Sequence, residues 1–451
     1  MMQMFIMKLK QWICNSSEII SSSSLTFVTR VFGAAIVFLS NAYLARLLGV
    51  EDVGVFFLGV TLLMAAGIFA RAGMETVVLQ TCGVAWDAGD VDKIRSVYWL
   101  TTSIVVFFGL ILTTLIYLFS FEIANGVFSE GKMFYVLEYM AIAIIPFSLI
   151  WLHSGVLKAV RRPALANFVE AGGVALLTII IVFLVNRYDS LDVEGAARSY
   201  LIANIGVLIL AVVNVQSVIS KKSAVSNEIK HESVRELVVR GNSIMWISAL
   251  SFITVWGATF VLGLFGTAED VAYYTVSLRT ATLISFILIV VNSITAPKYA
   301  ALFKKGKLDE IESLAITTAV LMAVFSFPLL VILFFWSDSV LVLFGEGFRE
   351  AGLVLSILAV GQFINVYTGS VGYILLMSGN EKVMRDVVFT VTLVGFPITV
   401  VLVINYRSEG AAIASALSIA IQNLLATWFV FRKLGIRALP GWLFVSRAVS
   451  R

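Results

Sequence analysis

Long apolar runs, each bounded by a short segment of charged and turn-forming residues, recur along almost the whole chain. A helix needs ~20 apolar residues to cross the hydrocarbon core of a membrane. Backbone that faces lipid must also satisfy its hydrogen bonds within the helix, so the pattern predicts about twelve membrane-spanning helices. Their predicted bounds are 25–48, 53–79, 97–121, 133–157, 164–186, 195–219, 241–265, 271–297, 312–336, 351–377, 385–405 and 409–431.

The two halves of the chain repeat each other. The stretch 51–94 resembles the stretch 269–311, with GDVDKI at 89–94 returning as GKLDEI at 306–311. LLG at 47–49 returns as LFG at 264–266, and EGAA at 194–197 returns at 409–412 with nearly the same spacing. An even number of spans per half gives both halves the same direction of insertion. Such parallel repeats are related by a pseudo-two-fold axis along the membrane normal, with the substrate site between them.

We therefore predict an all-α, polytopic membrane protein with two six-helix lobes. The predicted divisions are a cytoplasmic N-terminal segment (1–24), an N-lobe (25–222), a charged cytoplasmic linker (223–240), a C-lobe (241–432) and a cytoplasmic tail (433–451).

Lysine and arginine are concentrated in the loops on the side of the N terminus. The opposite loops hold only Lys132, Arg187, Arg349 and Arg407. Because such residues accumulate in cytoplasmic loops, we expect a multi-pass inner-membrane protein with both termini in the cytoplasm. Cys14 and Cys82 then lie on the cytoplasmic side, where we expect reduced thiols and no disulfide.

Composition excludes a soluble protein, since 60% of the 451 residues are hydrophobic and only 13% are charged. The formal charge of +4 is small, and the basic residues lie in loops rather than in one patch, so nucleic acid is not an expected partner. The chain has no Gly-x4-Gly-Lys-Ser/Thr, His-Glu-x-x-His or Cys-x-x-Cys motif. We expect no enzyme, no metal site and no cofactor.

Four arginines stand out in or beside the predicted spans: Arg30, Arg46, Arg71 and Arg279. A charge at membrane depth costs ~2.5–3.5 kcal/mol on insertion scales and therefore needs a partner or a wet cavity. We predict that they form a ladder of cations along one central cavity. Two alternatives stay open: Arg30 and Arg46 snorkel to the interfaces, and Arg71 pairs with Glu75 one turn later.

Polar residues accompany these cations at helical spacing. Asn41 shares a face with Arg30, while Thr275 and Thr282 share one with Arg279. A third polar stripe, in the tenth span, contains Gln362 and Asn365, and all five residues are predicted to line the cavity. The carboxylates Glu75, Glu138 and Glu170 are candidates for carrying a coupling H⁺ or Na⁺, or for pairing with the arginines. Tryptophans near span ends are interpreted as interfacial belt residues: Trp12, Trp99, Trp151, Trp336 and Trp428.

Several segments together resemble bacterial polysaccharide (O-antigen type) flippases, in the superfamily of multidrug/oligosaccharidyl-lipid/polysaccharide exporters. They are ARLLGVEDVGVFF at 45–57, GDVDKIRSVY at 89–98, EDVAYYTVSLR at 269–279, NSITAPKYAALFKKGKLDEI at 292–311 and LFGEGFREAGLVLSILAVGQFINVYTGSVGYILLMSGNEK at 343–382.

The resemblance implies a V-shaped secondary transporter that works by alternating access. Its cargo would be a lipid-linked oligosaccharide on undecaprenyl pyrophosphate, flipped from the cytoplasmic to the periplasmic leaflet for polysaccharide, O-antigen, lipopolysaccharide or capsule biosynthesis. Arg30, Arg46, Arg71 and Arg279 are the implied contacts to pyrophosphate or acidic sugar. The expected partners are membrane lipids, a polysaccharide polymerase and chain-length proteins, with a monomer as the working unit. Two other functions stay open: a cation-coupled multidrug extrusion antiporter, which needs a carboxylate-dominated cavity, and a lipid II flippase.

Overall fold

The computed structural model describes residues 17–188, 190–221 and 234–439. Regular structure in these ranges is helical and includes no strand, as the sequence predicts. The predicted N-terminal segment up to residue 16, most of the linker and the end of the tail lie outside the described residues, and so do Cys14 and Trp12.

Twelve principal helices follow one another along the described chain. They are α1 (Ser17–Arg71), α2 (Met74–Ala88), α3 (Val91–Leu118), α4 (Met133–Ala159), α5 (Pro163–Val185), α6 (Val193–Lys221), α7 (Val234–Phe265), α8 (Ala268–Lys304), α9 (Leu308–Phe335), α10 (Gly352–Thr368), α11 (Val371–Met377) and α12 (Glu381–Leu434). Short helical turns occur at Ser120–Glu122, Ile123–Val127, Ser337–Leu341, Val342–Phe344 and Glu346–Ala351. Helix α5 contains a π-helical turn at Phe168–Gly172.

Ten helices of the described chain are long and apolar enough to cross a membrane. Two of them are far too long for one crossing and are sharply kinked. Helix α1 turns at Gly49, with φ 78° and ψ 179°, and α12 turns at Arg407, with φ 49° and ψ −130°. Gly49 adopts this positive φ without a Cβ penalty, and Arg407 is held by a 2.7 Å hydrogen bond from its Nη1 to the carbonyl of Phe265. Each kinked helix supplies two crossings, which gives the twelve that hydropathy predicts.

Two predicted spans are interrupted in the structure. The span 53–79 breaks at Ala72 and Gly73, which have φ values of 48° and 73°. The span 351–377 breaks at Gly369, with φ 74°, between α10 and α11. Apolar residues continue through both breaks because the irregular backbone there lies among protein helices, where it is tolerated at membrane depth. Hydropathy alone therefore does not detect either break.

Helices α1–α6 pack mainly with one another, and α7–α12 do the same. The two bundles meet where α1 lies against α8 and α7, and where α2 lies against α7. One buried cluster bridges the bundles and includes Phe57, Leu58 and Leu262. Separate buried clusters fill the interior of each bundle. The arrangement gives two six-span lobes, as the repeat predicts.

The lobes touch most closely on the side that holds the kinks at Gly49 and Arg407, which we call the distal side; the opposite side is the proximal side. A Cβ on Gly54 of α1 would lie only 1.8 Å from the carbonyl oxygen of Ala268 in α8. A Cβ on Gly263 would lie 2.5 Å from a methyl carbon of Leu58. Glycine at these points lets the backbones of the two lobes approach closely, and the distal contact closes the bundle on that side.

On the proximal half the lobes touch where the end of α1 and the start of α2 meet α7. A Cβ on Gly73 would lie 2.3 Å from the carbonyl oxygen of Gly241, and the rings of Phe69 and Trp246 are 6.3 Å apart, edge to face. The first arm of α1 and the second half of α8 are instead separated by a cavity.

Replacing Gly54 by alanine should destabilise the protein, because the new methyl group overlaps the Ala268 carbonyl and such overpacking costs about 1–3 kcal/mol. Gly83→Ala in α2 is the matched control: no described atom lies within 4 Å of the point that its new Cβ would occupy, and helical glycine-to-alanine changes stabilise by about 0.5–1 kcal/mol. Thermal unfolding in detergent should show a lower Tm for Gly54→Ala only. Equal Tm values for the two variants would contradict the close distal contact.

Candidate functional site

A cavity of about 710 Å³ lies between the two lobes. Its walls come from α1, α4 and α5 of the first lobe and α8 of the second, with Tyr200 of α6 and Trp256 of α7 completing them. It reaches the proximal half at Thr29 and Arg30 on α1 and at Ser285 and Ile289 on α8. The volume suits a ligand of drug size or larger.

Arg279 supplies a cation to the wall of this cavity. Its Cζ lies 4.3 Å from the ring centroid of Phe57, which belongs to the other lobe. Its Nε has no hydrogen-bond partner among the described residues, and no carboxylate of the described chain pairs with its guanidinium. A desolvated cation–π contact contributes about 2 kcal/mol or more. It does not use up the N–H donors of the guanidinium, so Arg279 retains hydrogen-bonding capacity for an anion in the cavity.

Local sequence fixes where Arg279 lies. Thr267 and Asp270 form a capping box that begins α8, with the Thr267 side chain accepting from the Asp270 N–H and the Asp270 side chain accepting from the Thr267 N–H. Such reciprocal caps define a helix start. Thr282 follows Arg279 on the same face and also lines the cavity, whereas Thr275, one turn before Arg279, is fully buried and its Oγ1 has no partner within the described ranges.

Arg30 lies at the proximal end of the cavity on α1, and its side chain is exposed. Asn41 lies about three turns further along the same face and also lines the cavity. The Nδ2 of Asn41 is buried and has no hydrogen-bond acceptor among the described residues. The predicted polar face of the first span therefore does face the cavity.

Arg71 lies behind the cavity wall rather than on its surface. Its Nε is 3.6 Å from Oε1 of Glu75, and its Cζ is 5.0 Å from the Trp151 ring and 5.7 Å from the Phe147 ring. Those two rings line the cavity, whereas Arg71 and Glu75 do not. The structure thus has the ion pair that the sequence left as an alternative.

Arg46 lies outside the cavity, at the distal side. Its Nε donates to the carbonyl of Leu343 at 2.7 Å and thereby joins α1 to the other lobe. The predicted ladder of four cations along the cavity is therefore wrong. Of the four arginines, Arg30 and Arg279 line the cavity, and Arg46 and Arg71 do not.

The polar stripe of the tenth span faces the interior of its own lobe. Asn365 accepts a 3.1 Å hydrogen bond from Nδ2 of Asn423 on α12, and Gln362 is buried. Neither residue lines the cavity. The prediction failed because a polar pair between two helices of one lobe has the same helical spacing as a cavity face.

The three candidate carboxylates have different surroundings. Glu170 lines the cavity, and its Oε1 accepts hydrogen bonds from Oγ of Ser154, at 2.7 Å, and from Nζ of Lys158. Glu75 is paired with Arg71. Glu138 lies near the distal start of α4, half-buried and away from the cavity lining.

The sequence did not predict the aromatic surface of the cavity. It is formed by Phe38, Phe56, Phe57, Phe147, Trp151, Tyr200, Trp256 and Phe286. Trp151 was assigned to the membrane interface because it lies near a span end, yet it lines the cavity. Asn167 was also missed, and its Nδ2 is buried without an acceptor in the described chain. The spacing of Phe147, Trp151 and Ser154 on one face of α4 was the available signal.

Thiol labelling tests which face of α8 meets the cavity. In a background with Cys14→Ser and Cys82→Ser, Thr282→Cys should react readily with a water-soluble maleimide, because Thr282 is exposed in the cavity. Thr275→Cys should be protected, since Thr275 is fully buried two turns away. Labelling of both positions at similar rates, measured by mass spectrometry, would contradict the assignment of the wall.

Comparisons with known proteins agree with this architecture. Residues 43–353 match the model of a family described as "Polysaccharide biosynthesis protein". The chain is 25% identical over 448 residues to the "Probable low-salt glycan biosynthesis flippase" of Haloferax volcanii, covering 96% of this chain and 88% of the relative. It is 23% identical over 427 residues to the "Putative O-antigen transporter" of Shigella flexneri, covering 90% of this chain and 97% of the relative.

Solved structures with the same fold come from transporters. The lipid II flippase MurJ in an inward closed conformation has a TM-score of 0.71 at 16% identity, covering 91% of this chain and 87% of that one. A multidrug resistance MATE family transporter of the MOP superfamily, inward-facing, has a TM-score of 0.69 at 15% identity, covering 91% and 94%. At these identities the likeness shows the two-lobe transporter fold.

Proposed function

The chain belongs to the family of polysaccharide biosynthesis proteins, and from this premise we propose that it is a flippase for a lipid-linked oligosaccharide. The cargo is an oligosaccharide on undecaprenyl pyrophosphate, which crosses from the cytoplasmic to the periplasmic leaflet. The observation that carries the proposal is Arg279, a cation without a carboxylate partner among the described residues, in a cavity between the lobes.

The geometry suits a cargo that is part polar and part lipid. The polar head cannot enter hydrocarbon at an acceptable cost, whereas a prenyl chain can remain in the membrane throughout. The cavity separates α1 from α8 on the proximal half, with Arg30 on one helix and Arg279 on the other. We infer that the head enters between these helices while the lipid tail stays outside. A guanidinium remains charged and its fork matches phosphate oxygens, so Arg30 suits a phosphate entering at the proximal end and Arg279 suits the pyrophosphate inside the cavity.

Alternating access follows from the two sets of contacts between lobes. In this conformation the distal contact is closed by Gly54 with Ala268 and by Arg46 with Leu343. Release on that side requires these contacts to separate. We assign the proximal side to the cytoplasm from the loop charges. A membrane potential negative inside then favours outward movement of the anion by ~2.3 kcal/mol per charge per 100 mV, to which a coupled H⁺ or Na⁺ would add.

The charge balance of the cavity favours an anionic cargo over a cationic drug. Of the three candidate carboxylates, Glu170 lines the cavity, and it is already paired with Lys158. Arg30 and Arg279 have no ion-pair partner among the described residues. A multidrug antiporter for cations requires the opposite balance. A lipid II flippase shares the cargo chemistry, and an essential gene would distinguish that function from ours.

Arg279→Ala should reduce surface glycan by about tenfold or more while leaving protein levels normal, because a charge-assisted hydrogen bond contributes about 1.5–3 kcal/mol. Arg279→Lys should retain part of the activity, since it keeps the charge and loses the fork. The matched control is Arg187→Ala, an exposed arginine outside the cavity. The measurement is glycan display in a deletion strain complemented with each variant, with membrane protein quantified by immunoblot.

Full glycan display with Arg279→Ala would contradict the role of this cation. A deletion strain with intact glycan and altered sensitivity to cationic drugs would favour the multidrug antiporter instead.

A further inference from the structure

The part of the cavity wall contributed by α4 and α5 has a different chemistry from the walls of α1 and α8, which carry Arg30 and Arg279. It carries Phe147 and Trp151 from α4, and Asn167 and Glu170 from α5. We call these four residues the N-lobe wall. They combine aromatic rings with a carboxylate acceptor, an amide donor and an indole donor. Such a set suits an uncharged polar group, whereas an arginine suits an anion.

Trp151 presents a ring that is fixed from outside the cavity. The guanidinium of Arg71 lies 5.0 Å from its ring centroid, and the Phe147 ring lies 6.4 Å away. Glu75 in turn holds Arg71. The indole Nε1 of Trp151 is buried and has no acceptor among the described residues. A buried indole N–H usually finds a partner, and this one has none within the described chain.

Asn167 and Glu170 lie one turn apart where α5 becomes π-helical, at Phe168–Gly172. Such π turns are rare and are frequent at functional sites. Oε1 of Glu170 accepts from Ser154 and Lys158, whereas no described residue donates to its Oε2. Nδ2 of Asn167 has no acceptor in the described part of the chain. The local distortion therefore brings a carboxylate oxygen without a described donor and an amide donor without a described acceptor to the same wall.

We propose that the N-lobe wall is a subsite for a sugar ring, the one linked directly to the pyrophosphate; this rests on the proposed function. A hexose has apolar C–H faces and a rim of hydroxyl groups. The Trp151 ring packs against a face, Glu170 accepts from a hydroxyl, and Asn167 and the indole N–H donate to ring substituents. The pyrophosphate remains beside Arg279, which has no carboxylate partner among the described residues.

The test compares two lipid probes on purified protein in nanodiscs: undecaprenyl pyrophosphate, and the same lipid carrying one N-acetylglucosamine. Wild-type protein should bind the sugar-bearing lipid at least about tenfold more tightly, because the ring fills a site built for it. Trp151→Ala and Asn167→Ala should remove that difference while leaving the affinity for the bare lipid unchanged. Arg279→Ala should weaken binding of both probes.

The matched control is Trp99→Ala, which removes a tryptophan that is 54% exposed and outside the cavity; it should bind both lipids as the wild type does. Trp151→Phe keeps a ring and loses the N–H donor, so it should retain part of the preference if Trp151→Ala folds poorly.

The subsite is wrong if wild-type protein binds both lipids equally, or if Trp151→Ala and Asn167→Ala weaken both lipids to the same extent. In either case binding of the bare lipid still supports the proposed function. Wild-type protein that binds neither probe would reject the proposed function and the subsite together.

Discussion

Arg279 keeps its charge at membrane depth because it lies between the ring of Phe57 and a large cavity. A lone cation there costs ~2.5–3.5 kcal/mol on insertion scales, and a desolvated cation–π contact offsets about 2 kcal/mol or more of that cost. Phe57 belongs to the first lobe and Arg279 to the second, so the contact exists only while the lobes are together. It lies one helical turn from Gly54, whose backbone touches Ala268. The closed distal side of this conformation therefore places the cation on the cavity wall.

The four arginines in and beside the spans have separate roles in this arrangement. Arg30 and Arg279 face the cavity on the two helices that border its proximal half. Arg71 supports the wall through Trp151 and Phe147, and Arg46 joins the lobes at the distal side. Arg30 therefore lies at the proximal end of the cavity, and Arg279 lies beside the closed distal contact. Helices α4 and α5 add the rings of Phe147 and Trp151, the Asn167 amide and the Glu170 carboxylate.

The sequence predicted the spans and lobes because lipid demands long apolar helices and duplication leaves matching segments. Helical spacing also placed Arg30, Asn41, Arg279 and Thr282 correctly toward the cavity. It could not separate a cavity face from a polar pair inside one lobe, as Asn365 with Asn423 shows. Arg46 and Trp151 were misplaced because a residue near a span end can meet lipid headgroups, the other lobe or a cavity. That choice depends on packing between distant segments, as does each break at Gly73 and Gly369.

Electron cryomicroscopy of the protein with bound undecaprenyl pyrophosphate tests the central claim most directly. We predict phosphate density inside the cavity, within hydrogen-bond distance of the Arg279 guanidinium at roughly 2.7–2.9 Å. The prenyl chain should leave between α1 and α8. Phosphate density confined to the outer surface of the bundle, with Arg279 still stacked on Phe57 and no ligand beside it, would contradict the account.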